Sequence, residues 1–297
     1  MTASQIYEPR VESRSTRHRI RGIDYHVREW GDPAQPLVVM LHGWGDCSAS
    51  FQFTVDAMSS NWHVIAPDWR GFGLSHFRTD TYWFPDYVAD LHALLSIYTP
   101  DAPANLLGHS MGANAAGLYA GVFPERVRAF INVEGFGLAD SDPAAAPENY
   151  RRWIERAAAV PAYRSYPDFD ALAERVLARS PSMGRERALF VARHWAEQAD
   201  DGSIVLRADP SHKLPNAVLY RRAEAEACWD KATAAVLLVA GADTDFKASI
   251  MDWMDPDESR HPFHGAPSHV IDGAGHMVHF EQPGELAAAT EAFLASA

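Results

Sequence analysis

The sequence predicts an α/β chain: a mostly parallel central sheet with helices on both faces and a helical insertion in its second half. Three observations predict it. Short, almost wholly apolar runs recur at residues 37–41, 62–67, 127–133 and 235–240, as expected of strands buried on both faces. Segments of helical spacing alternate with them, such as 84–98, where Tyr87, Val88, Leu91, Leu94 and Leu95 form one apolar face. The run Asn105-Leu106-Leu107 ends in Gly108-His109-Ser110-Met111-Gly112 and passes directly into the small-residue helix that begins near Ala113. Gly-x-Ser-x-Gly between strand and helix is a nucleophile elbow, a strained turn that lifts the serine hydroxyl above the sheet.

Before the first of those runs, residues 17–20 and 23–30 read as two short strands with Gly22 at the turn, a hairpin at one edge of the sheet. The run 37–41 ends in His42-Gly43-Trp44-Gly45-Asp46. Beside an elbow, this loop offers the Trp44 N–H as one oxyanion donor, and the residue after the serine, Met111, offers the other. After 62–67 comes Asp68-Trp69-Arg70-Gly71-Phe72-Gly73, read as architectural, with Asp68 and Arg70 fixing loops by charge-assisted hydrogen bonds. The run 127–133 ends at Glu134-Gly135.

Between about 138 and 229 the strand runs give way to helical segments at 150–159, 169–177 and 185–198, with 214–228 partly helical after Pro215. A connection of this length calls for structure of its own. It divides the chain into a core of residues 1–137 and 230–297 and an inserted cap of 138–229, over the strand ends where open α/β sheets bind ligands. Residues 235–240 and 268–271 return as strands, and a helix near 285–294 closes the chain.

Composition narrows the function. The 297 residues, 47% of them hydrophobic, suffice for one large α/β core. A net charge of −13 argues against a nucleic-acid partner. No run approaches the ~20 apolar residues of a membrane span, and the first ten residues lack an apolar signal core. With only Cys47 and Cys228, the expectation is a reduced, cytoplasmic setting. His261 and His264 are three apart in a Pro/Gly-containing loop without further ligands at usual spacing, so no metal and no cofactor is expected.

Serine needs a base, and a neutral histidine held in one tautomer by a carboxylate is one. The chain supplies Ser110, then carboxylates, then His276 after the last strand. With Leu41-His42-Gly43-Trp44-Gly45, residues 66–75, the elbow and Gly273-Ala274-Gly275-His276 in this order, the chain resembles the serine-nucleophile branch of the α/β-hydrolase superfamily along nearly its whole length. The resemblance implies Ser110 as nucleophile, His276 as general base and then acid, and the N–H groups of Trp44 and Met111 as the oxyanion hole. For the orienting acid, Asp245 in Thr244-Asp245-Phe246 is the first choice; Asp243 and Glu134 stay open. His42 is read as ordering its own loop, His109 as packing beside the elbow and His279 as structural. The implied function is carboxylic-ester hydrolysis of a small acyl substrate. Lactone, thioester, amide or carbon–carbon cleavage on the same residues, or a non-catalytic ligand receptor, are the alternatives.

Overall fold

The computed structural model describes residues 5–297 apart from 60, 76–78, 80, 161, 248, 250–262 and 264. His261 and His264, where no metal was expected, both lie outside the described residues.

The expected edge hairpin is present and longer than its apolar pattern indicated. Strand β1 covers Ser13–Ile20 and β2 covers Ile23–Trp30. Most of β1 faces water, so its polar first half carries no apolar signal. Arg21 (φ 47°) and Gly22 (φ 84°) make the two-residue turn with positive φ at both positions that matches the twist of paired strands. The remaining strands are β3 (Leu37–Leu41), β4 (His63–Pro67), β5 (Ala104–His109), β6 (Val127–Val133), β7 (Ala196–Gln198), β8 (Ile204–Leu206), β9 (Ala235–Gly241) and β10 (Ser268–Ile271). The main sheet runs β1-β2-β4-β3-β5-β6-β9-β10, antiparallel as far as β4 and parallel from there on.

Helices cover both faces. Leu91 and Leu95 of α2 (Phe84–Tyr98), with Ala116 and Tyr119 of α3 (Met111–Val122), pack on Val39, Leu41, Leu106 and Phe130. On the opposite face Val55 of α1 (Gln52–Ala57), with Leu286 and Leu294 of the C-terminal helix Pro283–Ser296, packs on Val38, Met40, Leu107 and Ile131. Alternate residues of each central strand thus serve two apolar layers, which is why these strands read as unbroken hydrophobic runs.

Register determines where chemistry can occur. Leu41 pairs with Gly108, His109 with Val133 and Val133 with Val239. The C-terminal ends of β3, β5, β6 and β9 therefore lie side by side, and the loops after them share one rim of the sheet.

The chain between β6 and β9 contains α4 (Ala146–Ala157), α5 (Phe169–Leu177), α6 (Arg185–Trp195) and α7 (Arg222–Trp229). Leu172 and Val176 of α5 and Leu189 of α6 form a third apolar cluster with Cys47, with Phe53 of α1 and with Phe280. One sequence expectation is corrected here. Residues 196–198 leave the helix expected to 198 and pair with 204–206 as the β7–β8 hairpin. The partly helical stretch 214–228 has its helix from Arg222 onward. Helix α7 packs backbone to backbone on α3, because a Cβ at Gly121 would run into the Cys228 carbonyl.

Candidate active site

The elbow is built by two close approaches. A Cβ on Gly108 would collide with the backbone of Ala113, and one on Gly112 with the carbonyl of Leu41. Between these glycines Ser110 is held at φ 51°, ψ −115°, a conformation costly for any residue with a side chain. Its N–H donates to Val133 O (2.8 Å), and its own carbonyl accepts the first bond of α3 from Asn114 N–H (3.0 Å). The Met111 N–H, at the first position of α3, precedes that first helical bond and belongs to the donors a helix start leaves over.

His276 lies between two partners. Its Nε2 is 3.1 Å from Ser110 Oγ, and its Nδ1 is 2.9 Å from Glu134 Oε2. A carboxylate only accepts, so Nδ1 carries the proton and Nε2 presents its lone pair to the serine hydroxyl. The Glu134 side chain is wholly buried and accepts from two further donors: Gly241 N–H to Oε1 (2.8 Å) and Thr244 Oγ1 to Oε2 (2.8 Å). Glu134 itself is bent to φ 57°. Its N–H donates to Val239 O (3.0 Å), and the Asn132 side chain ties both the N–H (2.9 Å) and the carbonyl (3.0 Å) of Gly135. The strand end of β6 is thereby fixed by its neighbour β9 and by its own penultimate side chain.

The preferred acid of the sequence reading is not the residue at the ring. Thr244 is turned inward and buried with its hydroxyl on Glu134, and Asp243 and Asp245 on either side of it are exposed. Glu134 occupies the place at Nδ1 that was expected of Asp245. Trp44 and Met111 line one cavity together with Ser110.

Three further imidazoles brace the loops around this line. His42 donates from Nδ1 to Gly43 O (2.7 Å) and accepts Trp69 N–H at Nε2 (2.9 Å), which orders the loop carrying Trp44. Burial lowers its pKa, outweighing nearby Asp46 and Asp68. His109 donates from Nε2 to the carbonyl of His276 (2.8 Å); burial, then the neighbouring His279 and His276, hold its pKa well below the usual range. It is a neutral strut behind the His276 loop. Asp46 and His279, not singled out as a pair by the sequence, join the two loops: Asp46 Oδ2 accepts from His279 Nε2 (3.1 Å). Asp46, His109 and His279 bring ligand atoms within 4.8 Å of one another. The Asp46 oxygens already accept from Cys47 N–H, Trp195 Nε1, Ser50 Oγ and His279 Nε2, so the donor set forms a hydrogen-bonded stack and does not fit a metal. Asp68 and Arg70 take the architectural parts expected of them. Asp68 accepts from Ser48 N–H (2.6 Å), Leu74 N–H (2.8 Å) and His26 (2.9 Å), and Arg70 pairs with Asp90 (2.6 Å).

The cavity beside Ser110 measures about 390 Å³. Leu118 of α3 and Tyr82, Leu214, Tyr220 and Trp229 from outside the elbow contribute to its walls.

The model of the family described as alpha/beta hydrolase fold matches residues 36–283. The chain belongs to this family. As an alpha/beta hydrolase it resembles the serine hydrolase-like protein of Danio rerio, 27% identical over 73% of this chain and 68% of that protein. It spans 63% of the human protein of the same name. The pimeloyl-[acyl-carrier protein] methyl ester esterase of Aeromonas hydrophila is 32% identical over 54% of this chain and 60% of the esterase. Among solved structures, the thioesterase domain from a curacin biosynthetic pathway superposes with a TM-score of 0.82 at 21% identity, covering 95% of this chain and 99% of that one, a likeness of fold. The family match makes this chain an alpha/beta hydrolase, and proteins named as esterases are among its relatives. Among the described residues no helix is long and apolar enough to cross a membrane.

Proposed function

We propose that this hydrolase cleaves carboxylic esters through an acyl-enzyme on Ser110, with His276 as base and Glu134, in place of Asp245, as the orienting acid. One observation carries the reading: the unbroken line from Ser110 Oγ to His276 Nε2 (3.1 Å) and from His276 Nδ1 to Glu134 Oε2 (2.9 Å), starting at a serine of strained backbone. The geometry suits the reaction without rearrangement. Ser110 Oγ attacks the ester carbonyl as its proton passes to His276 Nε2. The imidazolium formed is stabilised through Nδ1–H by the Glu134 carboxylate. The N–H groups of Met111 and Trp44 receive the developing oxyanion. Collapse of the tetrahedral adduct returns the proton to the departing alcohol, and a water activated by the same ring releases the acid.

Glu134 suits its role because its buried carboxylate accepts from three donors, His276 Nδ1 among them, which fixes its position and holds one histidine tautomer. We further propose that residues 138–229 act as a cap. Leu138, Leu214, Pro215, Asn216, Tyr220 and Trp229, all from this stretch, line the cavity beside the nucleophile.

The test is labelling with a fluorophosphonate together with p-nitrophenyl butyrate turnover. Wild-type protein is labelled at Ser110 and releases nitrophenol, and Ser110→Ala loses both. Turnover in Ser110→Ala at the wild-type rate overturns the reading, and so does a wild-type protein that is folded but neither labelled nor active.

A further inference from the structure

We infer that the cavity beside Ser110 admits only an uncharged group of its substrate, so that esters bearing a carboxylate or phosphate on the cavity-filling part are rejected. This rests on the serine-esterase reading above and adds the substrate class to it.

The walls carry the argument. Apolar and aromatic side chains dominate them: Trp44, Phe84, Leu118, Leu138, Tyr220 and Trp229. No lysine or arginine is among the described lining residues. The single histidine there, His212, is stacked between Phe72 (3.8 Å) and Tyr82 (3.5 Å), and its Nε2 donates to Arg70 O (3.2 Å). Burial pushes its pKa down to about 4, so it meets a ligand at neutral pH as a flat, uncharged ring.

Among the described residues, Arg222 and Arg70 stand behind the walls, both engaged. Arg222 donates from Nη1 to Phe136 O (3.1 Å) and Leu138 O (3.2 Å), and its Nε pairs with Glu226 (2.8 Å). Arg70 pairs with Asp90 (2.6 Å) and Asp86 (3.1 Å). A negative charge adjoins the tyrosine wall: Asp209 Oδ2 accepts from Tyr82 OH (2.9 Å). A carboxylate entering this space gives up its water and meets no unpaired cation among the described lining residues, in a protein whose net charge is −13. An alkyl or aryl group of equal size loses nothing of the kind.

Capped and free members of one skeleton test this. Phenol release is followed for monophenyl adipate and phenyl methyl adipate, which differ by charge at the acyl end. Release of the substituted phenol is followed for 4-(carboxymethyl)phenyl butyrate and its methyl ester, which differ at the alcohol end. The capped member is expected to have kcat/KM at least roughly 30-fold higher in one pair or both. A ratio below that in both pairs overturns the inference. In the discriminating pair Leu138→Arg, at a half-exposed position on the cavity rim, is expected to shrink the ratio at least about fivefold; an unmoved ratio means that the cavity is not the source of selection. Fluorophosphonate labelling of both proteins separates the failures. An unlabelled wild type sinks the esterase reading itself, whereas a labelled enzyme that accepts free acids sinks only the charge selection.

Discussion

Replacing Glu134 by glutamine tests the assignment of the acid most sharply, because the structure leaves the amide no good orientation. The carboxylate accepts three hydrogen bonds: Gly241 N–H on Oε1, and Thr244 Oγ1 and His276 Nδ1 on Oε2. If the glutamine oxygen keeps Gly241, its NH2 faces His276 Nδ1. The ring must then accept there and carry its proton on Nε2, pointing at Ser110, the wrong tautomer for a base. If the oxygen faces His276 instead, the NH2 abuts the buried Gly241 N–H, two donors with nothing between them. Loss of the correct tautomer lowers kcat by roughly 10⁴-fold in a serine protease, or about 5.5 kcal/mol of transition-state stabilisation. A loss of that order is expected for Glu134→Gln, whereas Asp245→Asn, at an exposed position, stays within about threefold of wild type. Steady-state hydrolysis of p-nitrophenyl butyrate and the rate of fluorophosphonate labelling read the same loss independently. If Asp245→Asn is crippled and Glu134→Gln loses less than tenfold, the acid has been misassigned and the ring reaches Asp245 during turnover.

Three further outcomes are expected. Gly112→Ala drives a methyl into the Leu41 carbonyl and is expected to cost about 3 kcal/mol in urea denaturation; wild-type stability would show that the elbow has room to relax. His109→Phe keeps a ring in place but strips the His276 carbonyl of its donor, so kcat should fall about tenfold with KM nearly unchanged, and equal kcat in both proteins would remove His109 from the positioning of the base. His212 has a folded pKa depressed to about 4 from 6.5, so between those values the unfolded chain binds the proton and the folded one does not. Its contribution is complete above pH 6.5 and is lost as pH falls towards 4. The 2.5-unit gap corresponds to about 3 kcal/mol, so His212→Phe should flatten the stability profile across this window by that order. Parallel profiles for the two proteins would show that the buried ring is protonated without penalty.

The fold and the elbow at Ser110 were legible because they rest on local signals. Runs such as Leu37–Leu41 and Val127–Val133 must be apolar on both faces, and Gly108 and Gly112 mark approaches that no side chain survives. The carboxylate at His276 Nδ1 was less legible because its selection is non-local. In sequence Thr244-Asp245 looks like an acid position, yet the chain turns Thr244 inward, and a threonine cannot orient an imidazolium by charge. It serves as a donor to a carboxylate from the adjacent strand end. Glu134 directly after the buried Val133 was the available signal, a charged residue at the rim of a central strand. The β7–β8 hairpin was missed for another reason: its strands are three residues each, too short for alternation to register against the helical pattern of Arg185–Trp195. The turn chemistry of Asp201-Gly202, with Gly202 at φ 83°, was its one local mark.

The division of labour between sheet and insertion has a consequence for how this protein can change. Ser110, Glu134 and the loop carrying Trp44 follow β5, β6 and β3, three neighbouring strands whose ends are in register, and His276 is tied in through the carbonyl that His109 holds. Each chemical group is thus fixed by core packing and backbone bonds of the sheet. The cavity walls draw heavily on residues 138–229, whose α5–α6 pair contributes to an apolar cluster of its own. Substitutions at Leu138, Leu214 or Tyr220 therefore alter what is bound without reaching the line from Ser110 to Glu134, whereas changes at Gly112, His109 or Thr244 alter the rate for every substrate alike. A set of variants in which substrate preference and fluorophosphonate labelling rate move independently is what this separation requires; strict covariation of the two would mean that the insertion also sets the geometry of the triad.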